Sequence, residues 1–386
     1  MKALFFLPAL ALAAATAFAQ PEEPPKFSVD GYVKDLQTLF VFNGIPFPGV
    51  TQIYDQNQIH NRINVKWQIA PSLLFKVDFR NRIFWGDLST KDMIKGLDQA
   101  NDYFDLSVGE SNNKGLAYHA MVDRLYLELT KGKWEVRLGR QRVNWGISTV
   151  WNPNDVFNAF SFTDFDYEER PGSDALRVRY YPGYASSVEI AAKMADSLEA
   201  AVIAGMGQFN AGGYDFQVLG GLVQNELALG AGWAGNIKGA GFKGEMTFFQ
   251  PLEEGETSSF AATFGLDYLT GKSLYLSTGF LFNSNGQTNA GISNLFTFQL
   301  SAKNLYPYKY SVFLQGGYPI TPLLNGGLAL IYSPSKAHAL FANPTISYSI
   351  SQNWDLDLIG QVALESDGKK YRSPIQGAFI RVKMSY

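Results

Sequence analysis

From about residue 27 to its end this chain alternates apolar and polar side chains with a period of two. Successive side chains of a strand point to opposite faces, so each alternating segment is a ribbon with one oily face and one polar face. In residues 62–69, Ile63, Val65, Trp67 and Ile69 oppose Arg62, Asn64, Lys66 and Gln68. After the Pro71-Ser72 turn, Phe75, Val77, Phe79, Ile83 and Trp85 oppose Lys76, Asp78, Arg80 and Arg82. Leu125, Leu127 and Leu129 oppose Arg124, Tyr126 and Glu128; Leu176 and Val178 oppose Arg177 and Arg179; Leu356 and Leu358 oppose Asp355 and Asp357. Soluble sandwich strands run about 5–6 residues. These segments run about 9–13, long enough to cross a bilayer at a tilt.

Eighteen such segments can be read: 27–42, 59–70, 73–86, 118–130, 133–145, 174–182, 185–195, 199–208, 213–224, 226–236, 239–250, 257–269, 272–283, 308–318, 322–333, 344–351, 353–365 and 375–386. The stretch 185–236 is Gly/Ala-rich and poorly punctuated, which leaves sixteen as the rival number. Short turns (Pro71-Ser72, Lys131-Gly132-Lys133, Thr270-Gly271-Lys272, Gln352-Asn353) alternate with long polar connections near 43–57, 87–117, 146–172, 284–307 and 366–374. Hydrocarbon cannot satisfy an open strand edge, so a sheet with its apolar face outward must close on itself. The expected fold is therefore all-β: one closed antiparallel transmembrane barrel over 27–386, with short periplasmic turns and long extracellular loops. Trp67, Trp85, Trp134, Trp233 and Trp354 fall near expected strand ends, where interfacial aromatic girdles sit.

Residues 1–19, MKALFFLPALALAAATAFA, have the layout of an export signal: Lys2, an apolar stretch, then the small-x-small end Ala17-Phe18-Ala19. Residues 20–26 are then expected to form a short periplasmic segment, and the expected location is the outer membrane of a bacterial cell. No apolar run of about 18 residues exists for a membrane helix. The chain has no cysteine and three histidines (His60, His119, His338), which excludes disulfide scaffolds, thiol enzymes and cysteine-built zinc sites. A net charge of −3 without a Lys/Arg block gives no sign of a nucleic-acid binder, and no nucleic-acid partner is expected. No cofactor is expected. Barrel hydrolases need a Ser/His or Asp/His constellation with a nucleophile context; none accompanies His60 or His119, and no enzyme activity is expected. No plug domain stands between the signal and the first strand.

The polar faces of the early strands are basic: Arg62, Lys66, Lys76, Arg80, Arg82, Arg124, Arg137, Arg177 and Arg179. Arg140 and Arg142 join them if Gly139 marks a bulge; strict alternation turns them to lipid. The acids expected beside them are Asp78, Glu128 and Glu135. The third long connection, 146–172, is aromatic (Trp151, Phe157, Phe160, Phe162, Phe165, Tyr167) and acidic (Asp155, Asp164, Asp166, Glu168, Glu169). Such a loop suits a position inside the barrel, its carboxylates opposing Arg80, Arg82, Arg124 and Arg177 across a narrow opening, where the field screens solutes. The alternative is an external cap held by its own aromatics. Asp164-x-Asp166-x-Glu168 could also hold calcium, but lacks the EF-hand glycine and spacing, and a charged loop is the better reading.

In the last segment Ala378, Ile380, Val382, Met384 and Tyr386 share one face, with Arg381, Lys383 and Ser385 on the other. Ending on Tyr386, it resembles the C-terminal signal of outer-membrane barrels, which implies the barrel-assembly machinery as a partner. The segment 139–175, beginning GRQRVNWG, resembles one in poorly characterised outer-membrane barrels of Bacteroidota. More distantly it is similar to GRQ-x-x-x-WG stretches of porin-like families linked to export of anionic material. The resemblance implies a porin-like barrel and no particular substrate. The expected function is a channel in outer-membrane lipid for small polar or anionic solutes. The alternatives are a closed barrel for surface-polysaccharide assembly or, less favoured, a barrel-embedded hydrolase. The sequence leaves oligomeric state open.

Overall fold

The computed structural model describes residues 25–44, 49–98, 101–112, 114–162, 164–166, 168–197, 199–296, 298–366 and 368–386. The expected signal at 1–19, and all but the end of the 20–26 segment, lie outside them. The strands are β1 (Phe27–Asn43), β2 (Thr51–Asp55), β3 (Asn57–Ala70), β4 (Leu73–Trp85), β5 (Ser107–Ser111), β6 (Leu116–Lys131) and β7 (Trp134–Gln141). They continue as β8 (Ser173–Gly183), β9 (Ser186–Lys193), β10 (Val202–Ala211), β11 (Tyr214–Val223), β12 (Glu226–Ile237), β13 (Ala240–Pro251) and β14 (Ser259–Leu269). The rest are β15 (Tyr275–Asn283), β16 (Tyr310–Thr321), β17 (Leu324–Ser333), β18 (Ala339–Ser351), β19 (Trp354–Ser366) and β20 (Tyr371–Ser385).

All but β2 and β5 pair antiparallel with their chain neighbours in the wall, and β1 pairs with β20 from Tyr32↔Ser385 to Phe42↔Ile375. The result is a closed barrel of 18 strands, each coinciding with an expected segment to within a few residues. Closure gives the backbone groups of both end strands their partners, which a bilayer requires. Two-residue turns with positive φ at both positions join several hairpins, as at Gly212-Gly213 (60° and 80°) and Lys238-Gly239 (52° and 89°).

Facing is as the alternation predicts. Phe79 and Leu127 are exposed on the outside while Arg80 is buried within. Trp67, Trp134 and Trp354 are exposed near the short-turn ends, whereas Trp85 and Trp233 are only partly exposed. In water this outer apolar belt would cost about 25 cal/mol per Å²; in hydrocarbon it costs nothing.

Two local departures from alternation change the lumen. In the β4–β6 pairing Asp78 faces Arg124 and Phe79 faces Val122, so Asp123 is an extra, bulged residue. Asp123 and Arg124 are consequently both buried. At Gly139, φ is 119° and an added Cβ would lie 2.2 Å from the Leu125 carbonyl oxygen, so only glycine fits. Beyond it Arg140 is buried, donating to Asp174 through Nε at 2.9 Å and Nη2 at 2.7 Å. It does not face lipid as a bare charge.

The connections are more structured than expected. The 87–117 connection contains a helix, α1 (Lys91–Asp98), and β5, which pairs with β6 where β7 has ended. The 43–57 connection contains β2, which extends the β1 hairpin. The 284–307 connection is not a polar surface loop. Ile292, Leu305, Tyr306 and Tyr308 are buried against inward residues Leu281, Phe313, Ile331 and Phe341. Burial pushes the Tyr306 and Tyr308 hydroxyls well above their ordinary ionisation range.

Candidate functional site

The 142–172 connection lies inside the barrel and touches most of its circumference. At its start Gln217 of β11 donates to the Trp145 carbonyl at 2.7 Å, and Trp145 Nε1 donates to Glu189 of β9 at 2.7 Å. Glu245 of β13 accepts backbone N–H groups from Ile147, from Ser148 at 2.5 Å and from Asn154 at 3.0 Å. One fully buried carboxylate thus folds this stretch around itself, with all its bonds charge-assisted. Asn154 accepts from the Thr247 hydroxyl at 2.6 Å and donates to the Ala231 carbonyl at 3.1 Å. The aromatics then dock: Trp151 and Phe162 on Phe313, and Phe165 edge-on to Phe379 at 4.8 Å. Asp155 is buried at the loop's centre, where desolvation pushes its carboxyl up to about 8 against the pull of Arg142; Glu245 adds to the rise.

The acidic tip reaches the seam where the barrel closes. Asp166 meets Lys34 Nζ at 2.8 Å and Arg381 at 3.5 Å, and accepts from Gln58 at 2.7 Å. Glu168 lies 3.2 Å from Lys383 and 3.6 Å from Arg381. Glu169 accepts from the Tyr32 hydroxyl at 2.9 Å and lies 3.6 Å from Arg62. Arg124 donates to the Glu169 and Arg170 carbonyls at 2.6 and 2.8 Å. Asp164 is exposed and shares a cavity with Arg80, Arg82 and Asp166. Asp166 and Glu168 are thus engaged by cations of the wall, and among the described residues no metal-holding cluster of three or more His, Asp or Glu is present.

The remaining basic residues meet strand partners. Arg62 bonds Asp123 and lies 3.0 Å from Asp78. Lys76 lies 3.2 Å from Asp78, and Arg80 lies 3.2 Å from Asp123. Arg82 bonds His119 Nδ1 at 3.0 Å, and the other ring nitrogen faces Asp98 of α1 at 3.1 Å. Arg137 donates to Glu128 through Nε at 2.8 Å; Arg177 bonds Glu135; Arg179 bonds Glu189. Lys66 is exposed near the short-turn end of β3. The cations that meet Asp166, Glu168 and Glu169 are therefore Lys34, Arg62, Arg381 and Lys383. Three of these were not in the expected basic set.

Sequence reasoning missed Asp123, Glu189 and Glu245 as lumen acids. For Asp123 the bulge hides the facing. For the other two a signal existed: Glu189 in Val188-Glu189-Ile190 and Glu245 in Glu245-Met246-Thr247 are carboxylates in the middle of spanning strands. Such groups must point inward and be held.

No protein-family profile and no curated protein matches the chain. Solved structures do match it. OpdK of Pseudomonas aeruginosa with vanillate has a TM-score of 0.62 at 9% identity, over 93% of this chain and 98% of that one. OccK9 (OpdG) of P. aeruginosa gives 0.60 at 10% identity, over 93% and 98%. OccAB2 of Acinetobacter baumannii gives 0.56 at 9% identity, over 93% and 98%. These likenesses show the fold: a closed 18-strand antiparallel barrel of the kind seen in outer-membrane porins.

Proposed function

We propose that this protein is a channel of the bacterial outer membrane that passes small polar or anionic solutes, with the 142–172 loop as its constriction. The carrying observation is the contact of Asp166, Glu168 and Glu169 with Lys34, Arg62, Arg381 and Lys383 inside an apolar-coated, closed barrel. Opposed carboxylates and cations across a narrow passage set up a transverse field. That field selects solutes by charge and dipole. On this reading residues 1–19 direct export, the chain from residue 27 forms the pore, and Tyr386 ends the strand presented to the assembly machinery. Vanillate, with which the OpdK structure was solved, is a small aromatic anion and suits the same solute class.

A second reading has an observation of its own. Two loops pack apolar side chains into the lumen, with Ile292, Trp145, Trp151 and Tyr308 all nearly inaccessible. That packing also suits a barrel whose lumen is closed and whose outer loops serve surface assembly. Single-channel recording of the purified barrel in planar bilayers decides between them. Steady KCl conductance with a charge-dependent reversal potential supports the channel. A folded barrel that inserts and carries no current supports the closed form.

A further inference from the structure

On the outer wall one side chain interrupts the apolar belt near its middle. Asp35 of β1 shares the outward face with Val33 and Leu39, while Lys34 and Leu36 are buried inside. Among the described residues no other charged side chain is exposed at the middle of a wall strand's outward face. Its carboxylate accepts from Gln37 Nε2, on the same face, at 2.6 Å. Its cross-strand neighbours are Val382 and Ile59, so no cation stands beside it.

Depth follows from register. A ladder row descends from Tyr118, near the extracellular end of β6, through Asp35 to Leu324, at the short-turn end of β17. With strands about 4.8 Å apart and tilted about 40°, each crossing steps about 3 Å in depth, and each residue along a strand about 2.5 Å. Asp35 is two crossings above Leu356, and Leu356 is two residues above Trp354 of the girdle. That sets the carboxylate about 11 Å into a belt about 25 Å tall, where water does not reach it.

The neighbouring strands add amides. Asn61 of β3 and Asn81 of β4 face outward and stand opposite each other, and Asn61 also stands opposite Val33. Two crossings raise Asn81 about 6 Å above Val33, and two residues raise Asp35 about 5 Å above it. The carboxylate and the Asn81 amide are thus level, on either side of β3. Asn61 spends its Nδ2 on the Tyr32 carbonyl at 3.2 Å and the Tyr386 hydroxyl at 3.3 Å. Asn81 accepts from the Tyr118 hydroxyl at 3.3 Å through Oδ1, which leaves its Nδ2 to a further acceptor.

We propose that this patch is a dimer interface between two copies of the chain, on a two-fold axis along the membrane normal that passes beside Asn61. Copies inserted in one membrane point the same way, so their two-fold runs along the normal and pairs residues at equal depth. Asp35 then meets Asn81 of the second copy, and Asn81 meets Asp35 of the second copy. The patch is self-complementary because it carries an acceptor-only group and a spare donor at one level. In hydrocarbon such side chains hold spanning segments together, since the alternative is an unsatisfied group in lipid. A cationic partner would also satisfy Asp35, but it would leave the level Asn81 amide unused. The proposal concerns the outer wall and holds whether or not the lumen conducts.

The chain has no cysteine, so a single introduced thiol reports contact between copies. The test uses the full barrel refolded in detergent and reconstituted in lipid, with folding checked by heat-dependent gel mobility. On oxidation Ile59→Cys, next to Asn61 on the same face, should give a species of twice the mass. Met246→Cys, exposed on the far wall, should not. Sedimentation equilibrium in detergent should show a reversible dimer. Asp35→Leu and Asn81→Leu should each weaken it tenfold or more and leave the barrel folded, because both changes extend the apolar belt. Asp35→Asn should weaken it less. The double change Asp35→Leu with Asn81→Leu should weaken it no more than either alone, since the two groups share one contact. A wild type that is monomeric in both media overturns the proposal. So does a dimer unmoved by Asp35→Leu, or equal cross-linking at Met246→Cys. Cross-linking of Ile59→Cys in native membranes to a protein of another mass, with no dimer, overturns it in favour of a different partner.

Discussion

Lys34 Nζ lies 2.8 Å from Asp166 Oδ1, and the same ammonium donates to the Asp166 carbonyl, joining residues 132 positions apart. The lysine side chain is 1% exposed and the aspartate 17%. Removing one member of a buried pair strands the other, typically at about 3–5 kcal/mol. The contact forms only because β1 is also the seam strand, paired with both β20 and β3. Lys34, Arg381 and Lys383 come together there from the two ends of the chain.

That arrangement predicts which charges set selectivity. Replacing Asp166, Glu168 and Glu169 by Asn/Gln leaves Lys34, Arg381 and Lys383 less opposed, and the reversal potential in a KCl gradient should move toward anions. Replacing Lys34, Arg381 and Lys383 by Gln should move it toward cations. Gln at Arg137 and Arg179 should move it less, because Glu128 and Glu189 are their partners. All shifts should shrink as the Debye length falls from about 10 Å at 0.1 M salt to about 3 Å at 1 M. Wild-type potentials in both neutralised sets would remove the constriction from the account.

Glu245 should control how firmly the loop is held. Its carboxylate accepts three backbone N–H groups of the loop, and hydrogen bonds to charged groups contribute about 1.5–3 kcal/mol each. Glu245→Gln keeps the shape but puts an amide donor where acceptors are needed. The barrel should still fold, while single-channel current becomes noisier and added protease cuts near Ile147–Asn154 faster. Glu245→Ala should show both effects more strongly. Quiet current in a folded Glu245→Ala barrel would mean that the aromatics and the remaining contacts, from Gln217, Glu189, Thr247 and the wall cations, hold the loop without it.

The wall was legible in the sequence because lipid enforces alternation. Ile63/Arg62 and Phe79/Arg80 had to face opposite ways, and 185–236 resolved into β9 to β12 despite its weak punctuation. The lumen was legible in part. The aromatics of 146–172 predicted a buried loop, but its partners depend on which strands meet at the seam, and no local pattern encodes that. Asp123 was hidden by a one-residue bulge. The inward packing of 284–307 was missed because Ile292, Leu295 and Leu305 are spread too thinly for any period to show.

Asp155 gives the loop a pH dependence with a definite sign. Burial holds its carboxyl at about 8, above the ordinary value of about 3.9 when the loop is out. The packed loop therefore favours the protonated form. Its hold is full below about pH 4, falls as pH rises through the unpacked value, and reaches its floor above about pH 8. Arg142 and Arg170 oppose the shift and Glu245 reinforces it. Current noise should grow from pH 5 to pH 9 in the wild type, and Asp155→Asn should flatten that rise. An unchanged slope in the variant would assign the titration to another group.

Tyr386 predicts the behaviour of the seam during assembly. Its backbone pairs both ways with Gly31, at 2.9 and 3.0 Å, and its hydroxyl donates to the Arg62 carbonyl at 3.1 Å. The last residue thus clamps β1 and β3 together. A Cβ added at Gly31 would lie 2.1 Å from the Arg62 carbonyl oxygen and 2.9 Å from the Tyr386 hydroxyl, so the clamp and the glycine require each other. Tyr386→Phe removes two hydrogen bonds, the one to the Arg62 carbonyl and one accepted from Asn61 Nδ2 at 3.3 Å, at about 0.5–1.5 kcal/mol each, and should lower the urea midpoint of the refolded barrel slightly without preventing assembly. Gly31→Ala must displace backbone rather than a flexible tip, and should cost more than Tyr386→Phe. Deleting Tyr386 removes the aromatic end and both backbone bonds to Gly31. In cells it should leave less heat-modifiable barrel in the outer-membrane fraction, while the same chain still refolds in detergent. Equal membrane yield of the deletion and the wild type would show that assembly reads another part of β20.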